Sequence, residues 1–232
     1  MKRLLGIHHL ILIVMMIVGL IFLISCKKEK EEILFTPAGT VTDIDGNTYN
    51  AIKIGTQIWM AENLKTTKYC NSDSLPNVTN DTSWSKLTSG AYCNYDNNNE
   101  TAKTYGRLYN WYAVSDSRSI APEGWHVPTI TEWLTLNTYL GSLNIAGKLK
   151  EGGIAHWKSP NEKATNKSGF TALPGGYRTG FFNPGFAGIG ESSAWWCPDE
   201  DLASPYLDDR GFGIATMYMS PVEGYSVRCI KD

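Results

Sequence analysis

Residues 121–141, APEGWHVPTITEWLTLNTYLG, decide how the rest of the chain must be arranged. Pro128 halts whatever precedes it, and Thr129-Ile130-Thr131-Glu132 then has the form of a capping box. The Thr129 hydroxyl can accept the free amide of Glu132, while the Glu132 carboxylate reaches back to the Thr129 amide. An acid in the first turn also suits the positive end of the helix dipole. Beyond the box, Ile130, Trp133, Leu134, Leu136 and Leu140 recur at helical spacing, and Gly141 supplies a stop. The spacing predicts an amphipathic helix of about three turns, clamped by the Trp125 and Trp133 rings. Such a helix is a core element on which sheets can lie, and it carries no reactive constellation.

Towards the N-terminus the period changes from helical to alternating. Val41-Thr42-Asp43-Ile44 runs into a turn at Asp45-Gly46-Asn47, followed by Thr48 to Ile54, a second turn at Gly55-Thr56-Gln57, and Ile58-Trp59-Met60. This is hairpin punctuation between apolar runs. Residues 64–99 are rich in Asn, Ser, Thr and Asp and read as a long loop excursion. At its end Asp96, Asn98 and Glu100 gather oxygen donors that suit calcium, although no EF-hand register is present and a polar turn is the favoured reading. Leu108, Trp111 and Tyr112, at i, i+3 and i+4, predict a first helix within residues 105–114.

Beyond residue 141 glycine and proline dominate, most densely in GFTALPGGYR at 169–178. Short strands are expected at 193–197 and 213–219, and residues 224–232 close the chain. Two neighbouring helices with strands on both sides predict the α+β class, not alternating βαβ units.

The first residues belong to something else. Lys2 and Arg3 precede an uncharged, aliphatic run to Ile24, then Leu23-Ile24-Ser25-Cys26, the pattern of a secretory signal. Aliphatic-aliphatic-small-Cys resembles the bacterial lipobox. That resemblance implies cleavage before Cys26, diacylglycerol on its thiol and a further acyl chain such as palmitate on the new amine. An uncleaved transmembrane helix is the competing reading, and either one tethers the chain to a membrane. Residues 26–38 open with Lys27-Lys28-Glu29-Lys30-Glu31-Glu32, a charged flexible spacer. Charged tracts after a lipidated cysteine resemble signals for the outer membrane, facing the cell surface or else the periplasm. Losing residues 1–25 removes Lys2 and Arg3 and no acid, which takes the balance from −2 to −4. No basic stripe supports a nucleic-acid partner.

Four cysteines remain, Cys70, Cys93, Cys197 and Cys229, and an exported chain meets an oxidising compartment. Four cysteines allow three pairing schemes. Closeness in sequence favours Cys70 with Cys93 and Cys197 with Cys229. There is no CxxC, nucleophile elbow, HExxH, P-loop or GxGxxG. His126 reads as a satisfied structural histidine and His156 as part of a loop, so no catalytic residue is assigned. Asp199, Glu200, Asp201, Asp208 and Asp209 are carboxylates of a solvated loop.

The blocks IGTQIWMAENLKTT, YGRLYNWYAV, APEGWHVPTITEW, GFTALPGGYR, SAWW and YSVRCIKD, in this order, resemble the Fibrobacter succinogenes major paralogous (FISUMP) domain. The resemblance covers nearly all of residues 39–232 as a single domain and implies secreted or lipoprotein chains without an established reaction. Many members carry a cysteine near Ile120-Ala121 and a different run at Trp196-Cys197-Pro198, which leaves Cys93 with Cys229 open as a further pairing.

WHVPTxxEW and the terminal VRC are also similar to the formylglycine-generating sulfatase-modifying proteins and, more distantly, to C-type lectin-like domains. The implied fold has two helices, a small antiparallel sheet and long irregular loops. The sulfatase-modifying chemistry needs two nearby cysteines near the C-terminus, and Cys229 has no such neighbour in sequence.

The remaining signal is aromatic: eight tryptophans and twelve tyrosines, whose flat faces and polar edges suit sugar rings and interfaces. Trp59, Trp111, Trp125 and Trp133 are expected in the core. Trp157, Trp195, Trp196, Tyr177 and Tyr206 lie near glycine-rich loops and are candidate ligand contacts, with Arg178 as a carboxylate partner or a loop brace. The expectation is a lipid-anchored surface module that binds glycan or protein. The alternatives are an enzyme related to the sulfatase-modifying proteins or a structural part of the envelope.

Overall fold

The computed structural model describes residues 32–141, 143–180, 184–202, 204–208, 211–215 and 219–232. The signal segment, Cys26 and the first part of the expected spacer, residues 26–31, lie outside these residues, as do Asp209 and part of the strand expected at 213–219. Residues 33–232 form one compact unit. Among the described residues no helix is long and apolar enough to cross a membrane.

The class is α+β. Strands β1 (Phe35–Thr42), β2 (Thr48–Ile54) and β3 (Gln57–Met60) form the expected run of hairpins. β1 starts inside the segment expected to be spacer, because Phe35, Thr36 and Pro37 pair with Ile54, Lys53 and Ile52. It is an edge strand, mostly exposed, with Pro37 where a ladder amide is dispensable. Then follow α1 (Asp81–Trp84), β4 (Tyr92–Cys93), α2 (Asn99–Tyr105), β5 (Leu108–Tyr109) and α3 (Trp111–Val114). The helix expected across residues 105–114 is therefore broken. Gly106, at φ +81°, ends α2, Leu108–Tyr109 pairs with Tyr92–Cys93, and only one turn capped by Asn110 remains helical. The i, i+3, i+4 pattern was real but a glycine and an Asn N-cap sat inside it.

β6 (Trp125–His126) leads into α4 (Ile130–Leu140), the capped helix. Both bonds of the box are present: the Thr129 amide donates to Glu132 Oε2 at 2.8 Å, and the Glu132 amide to Thr129 Oγ1 at 3.4 Å. Trp133, Leu136 and Leu140 are buried while Leu134 is exposed. Trp133 packs in the core with Trp59, Phe170 and Trp195, whereas half-buried Trp125 packs on a different cluster, so the two rings do not clamp one element together.

α5 (Ile145–Leu149), β7 (Gly175–Thr179), β8 (Gly185–Ile189), β9 (Ser193–Ala194), β10 (Ser204–Leu207), β11 (Phe212–Ala215) and β12 (Ile230–Lys231) complete the order.

The sheet is neither single nor small. One five-stranded antiparallel sheet has the order β1-β2-β3-β12-β6, which carries the C-terminal strand into the N-terminal half. A second, β11-β10-β9-β7-β8, is mixed, since β7 and β9 run parallel. Five short or medium helices, not two, are described. Three clusters fill the interior: one around Tyr49, Met60, Tyr109, Trp196 and Cys229, one around Trp59, Trp133, Phe170 and Trp195, and one around Trp84, Cys93 and Leu108.

All four cysteines are free thiols. The expected pairings Cys70–Cys93, Cys197–Cys229 and Cys93–Cys229 are absent. The packing accounts for two of these absences, because Cys93, Cys197 and Cys229 each belong to a different cluster.

Candidate functional site

Three of the expected ligand contacts are core residues. Trp157, Trp195 and Trp196 are buried, and each indole N–H is satisfied internally, by Ala172 O (2.9 Å), Asn63 Oδ1 (3.0 Å) and Tyr109 O (2.7 Å) respectively. Arg178 is fully buried and braces. It donates to Val78 O (2.7 Å), Thr79 O (2.9 Å) and Asp81 Oδ1 (2.6 Å) while lying over the Trp84 and Phe186 rings. Glycine-rich flanks misled the reading of the tryptophans: the glycines here let backbone approach bulky rings instead of exposing them.

Tyr177 and Tyr206 are brought together, and strand alternation explains how. On β10 and its continuation, Ser204, Tyr206 and Asp208 share one face, and on β7 Tyr177 and Thr179 do the same. Between them, Leu207 points into the second core cluster and Arg178 into its brace. The outer face of the second sheet thus becomes the floor of a cleft of about 460 Å³. Ser192, Ser193 and Ala194 continue the floor, and Met219, Glu223 and Tyr225 form a side wall. Gly224 ties that wall to the sheet by exchanging backbone hydrogen bonds with Arg178 at 2.8 and 2.9 Å.

The tyrosines differ in role. Tyr206 is 38% exposed and offers its ring. Opposite it on β11 is Gly213, where an added Cβ would lie 2.6 Å from Tyr206 Cζ, so only glycine lets the ring lie down across the strand. Tyr225 is buried between Tyr177, edge-on at 6.2 Å, and Trp196, at 4.6 Å. Burial pushes its phenol well up, so it stays protonated. Two carboxylates complete the lining. Asp208, expected to be solvated, is 9% exposed and accepts the Gly211 amide at 3.1 Å, while Glu223 accepts the Gly180 amide at 3.1 Å. The signal for this site was present in Ser204-Pro205-Tyr206-Leu207-Asp208, whose strict alternation marks one polar and one core face.

The other candidates go elsewhere. His126 links residue 232 to the first turn of α4: Nδ1 meets Asp232 Oδ1 at 2.6 Å and Nε2 meets Glu132 Oε1 at 2.8 Å. His156 pairs with Glu151 at 2.9 Å, edge-on to Tyr105. In the calcium candidate, Asn98 caps α2 through the Glu100 amide and Glu100 pairs with Lys103 at 2.7 Å, while Asp96 sits in a left-handed turn. No group of three or more His, Cys, Asp or Glu among the described residues is placed to hold a metal ion. Asp199 accepts the Ile130 amide at 2.9 Å, a second carboxylate at the start of α4.

The family model of the Fibrobacter succinogenes major domain matches residues 52–231. Neither a curated protein nor a solved structure matches the chain. The matched span takes in β3, the capped helix, the Arg178 brace and the tyrosine cleft, and the chain belongs to the Fibrobacter succinogenes major domain family.

Proposed function

We propose that this chain is a lipid-anchored binding module of the outer membrane that holds a saccharide in the Tyr177–Tyr206–Tyr225 cleft. One observation carries the reading: the rings of Tyr177 and Tyr206, serine hydroxyls and the carboxylates of buried Asp208 and half-buried Glu223 converge on one cavity of about 460 Å³. That size is within the range of small-ligand sites. Sugar rings present apolar C–H faces that stack on tyrosine and hydroxyls that donate to carboxylates, so both halves of the lining have a use. The lectin-like cast of the fold belongs to this reading, as do acylation of Cys26 and exposure at the cell surface. Cleavage, acylation and address rest on the Leu23-Ile24-Ser25-Cys26 pattern.

The two carboxylates favour one second reading, in which the occupant is a cationic side chain of a protein partner cupped by the tyrosines. An enzyme of the sulfatase-modifying type has less support, because Cys229 is wholly buried and burial drives its thiol well up. Binding of the full chain in detergent to an array of neutral, amino and acidic saccharides tests the proposal. At least one neutral or amino saccharide should bind, since the ring of exposed Tyr206 offers its apolar face to a sugar. A blank array alongside binding to lysine-rich peptides would favour the protein partner.

A further inference from the structure

Three features lie outside the cleft: the groove between the 55–57 turn and α4, the His126 carboxylate pair, and the thiols. The thiols carry an inference furthest. Cys229 directly precedes Ile230, which faces the second cluster beside Trp59, so alternation turns Cys229 to the other side, into the first cluster with Tyr69, Ile120, Ala121 and Val127. Cys70 arrives at the same place from the loop excursion. Its amide donates to Ser119 O at 2.8 Å and its Sγ–H to Ala121 O at 2.6 Å. The other two thiols are in separate clusters, Cys93 beside Trp84 and Cys197 beside Trp195.

We propose that Cys70 and Cys229 are an oxidisable pair, closed into a disulfide by a disulfide-bearing oxidant such as oxidised glutathione. The roles divide by access. Cys70 is exposed and lines an open cleft of about 370 Å³ with Asp43, Ala121 and Glu123, whereas Cys229 is wholly buried. The Cys70 thiolate attacks the oxidant disulfide, forming a mixed disulfide and releasing one thiolate. Cys229, giving up its proton, then attacks the Cys70 sulfur and releases the second. Two protein thiols are oxidised, the oxidant disulfide is reduced to two thiols, and the two protons pass to them.

Electrostatics agrees with the geometry. Burial is the main influence holding the Cys229 thiol protonated, followed by Cys70 and then Asp43, and the approach itself rests on Ala121, whose carbonyl takes the Cys70 thiol and which belongs to the Cys229 cluster. Burial likewise raises Cys70, which makes the first step slow near neutrality. The cross-link ties the loop excursion to the C-terminal strand, a long closure of the kind that raises thermal stability most.

Full chain treated with oxidised glutathione, alkylated natively and mapped without reduction provides the test. Wild type should lose about 2 Da, two hydrogens, and yield one peptide pair joining Cys70 to Cys229, with the unfolding midpoint raised by about 5–10 °C. Cys70→Ser should leave Cys229 reduced, and Cys229→Ala should retain glutathione on Cys70. Should Cys229→Ala fail to fold, the wild-type map and Cys70→Ser, at an exposed position, still decide. Stable glutathione on wild-type Cys70, a link from Cys70 to Cys26, Cys93 or Cys197, or four alkylated thiols would overturn the pairing.

Discussion

At the scale of single residues, two buried polar groups hold more of this molecule than its aromatics suggest. Arg228 is 1% exposed, and its hydrogen bonds run to neutral oxygens. It donates to Asn63 Oδ1 through Nε (3.0 Å) and Nη2 (2.8 Å), to Ala61 O (3.0 Å) and to Phe170 O, and it lies over the Phe170 ring. Burial lowers its pKa to about 9 despite the Glu62 charge. Asn63 Oδ1 also accepts the Trp195 indole, so one side-chain oxygen satisfies an arginine and a tryptophan at once. Asn63→Leu should therefore destabilise by about 3 kcal/mol, the cost of leaving a buried cation and an indole N–H short of partners. Urea denaturation measures it, and a loss below about 1 kcal/mol would mean water replaces the amide.

His126 gives a pH signature at the same scale. Burial is the strongest influence on the ring and opposes its charge, but the hydrogen bonds to Asp232 and Glu132 and their charges together outweigh it, and the net shift is upward from 6.5. A base whose folded pKa is raised contributes stability that is fully present below its unfolded value and is lost as pH rises through the folded one. The ring is 38% exposed, so solvent screening keeps the gain under about 1 kcal/mol. Relative to His126→Gln, wild type should be more stable at pH 5.5–6 (about 0.5–1 unit below the unfolded value), with the advantage fading as pH rises past the raised folded value. Parallel pH curves for the two proteins would remove the imidazolium from the account.

At the scale of elements, legibility followed locality. The hairpins β1–β2–β3 and the capped helix α4 were readable because turn residues and a four-residue box fix them within a few positions. Two-residue strands were not. β5, β6 and β12 exist only through partners elsewhere in the chain, such as Ile230 against His126 and Trp59, and no local pattern announces them, whereas β9 lies within the strand expected at 193–197. The helix expected through Leu108–Trp111–Tyr112 failed for the converse reason, since a local pattern was cut by Gly106 and Asn110. Thr129→Ala should cost about 1 kcal/mol of stability by removing one half of the box. Calorimetry of the variant checks this, and an unchanged midpoint would leave capping to Glu132 and Asp199 alone.

At the scale of the whole molecule, the braces and the cleft are parts of one design. Arg178 and Tyr177 are neighbours on β7 pointing opposite ways, one pinning the strand to residues 78–81 and the other opening onto the cavity. Arg178 was legible only as a choice between ligand partner and brace, because its burial depends on Trp84 and Phe186, far from it in sequence or across a turn. The cleft was half legible: Tyr177 and Tyr206 were candidate contacts and Asp208 read as solvated, while Tyr225 and Glu223 were not singled out, because the sheet that assembles them has a crossover order. Trp195 and Trp196 were misassigned since a loop-rich domain fills its core with rings where a larger sheet would use aliphatic side chains.

The central claim is that Tyr206, held down over Gly213, is a working face of a saccharide site. Titrating neutral and amino oligosaccharides calorimetrically into wild type and Tyr206→Ala tests it most directly. Wild type should bind at least one of them, and the variant should bind it about tenfold more weakly, the loss of one stacking face, with an unchanged unfolding midpoint. Equal affinities for the two proteins, or no heat from any saccharide with wild type, would contradict it.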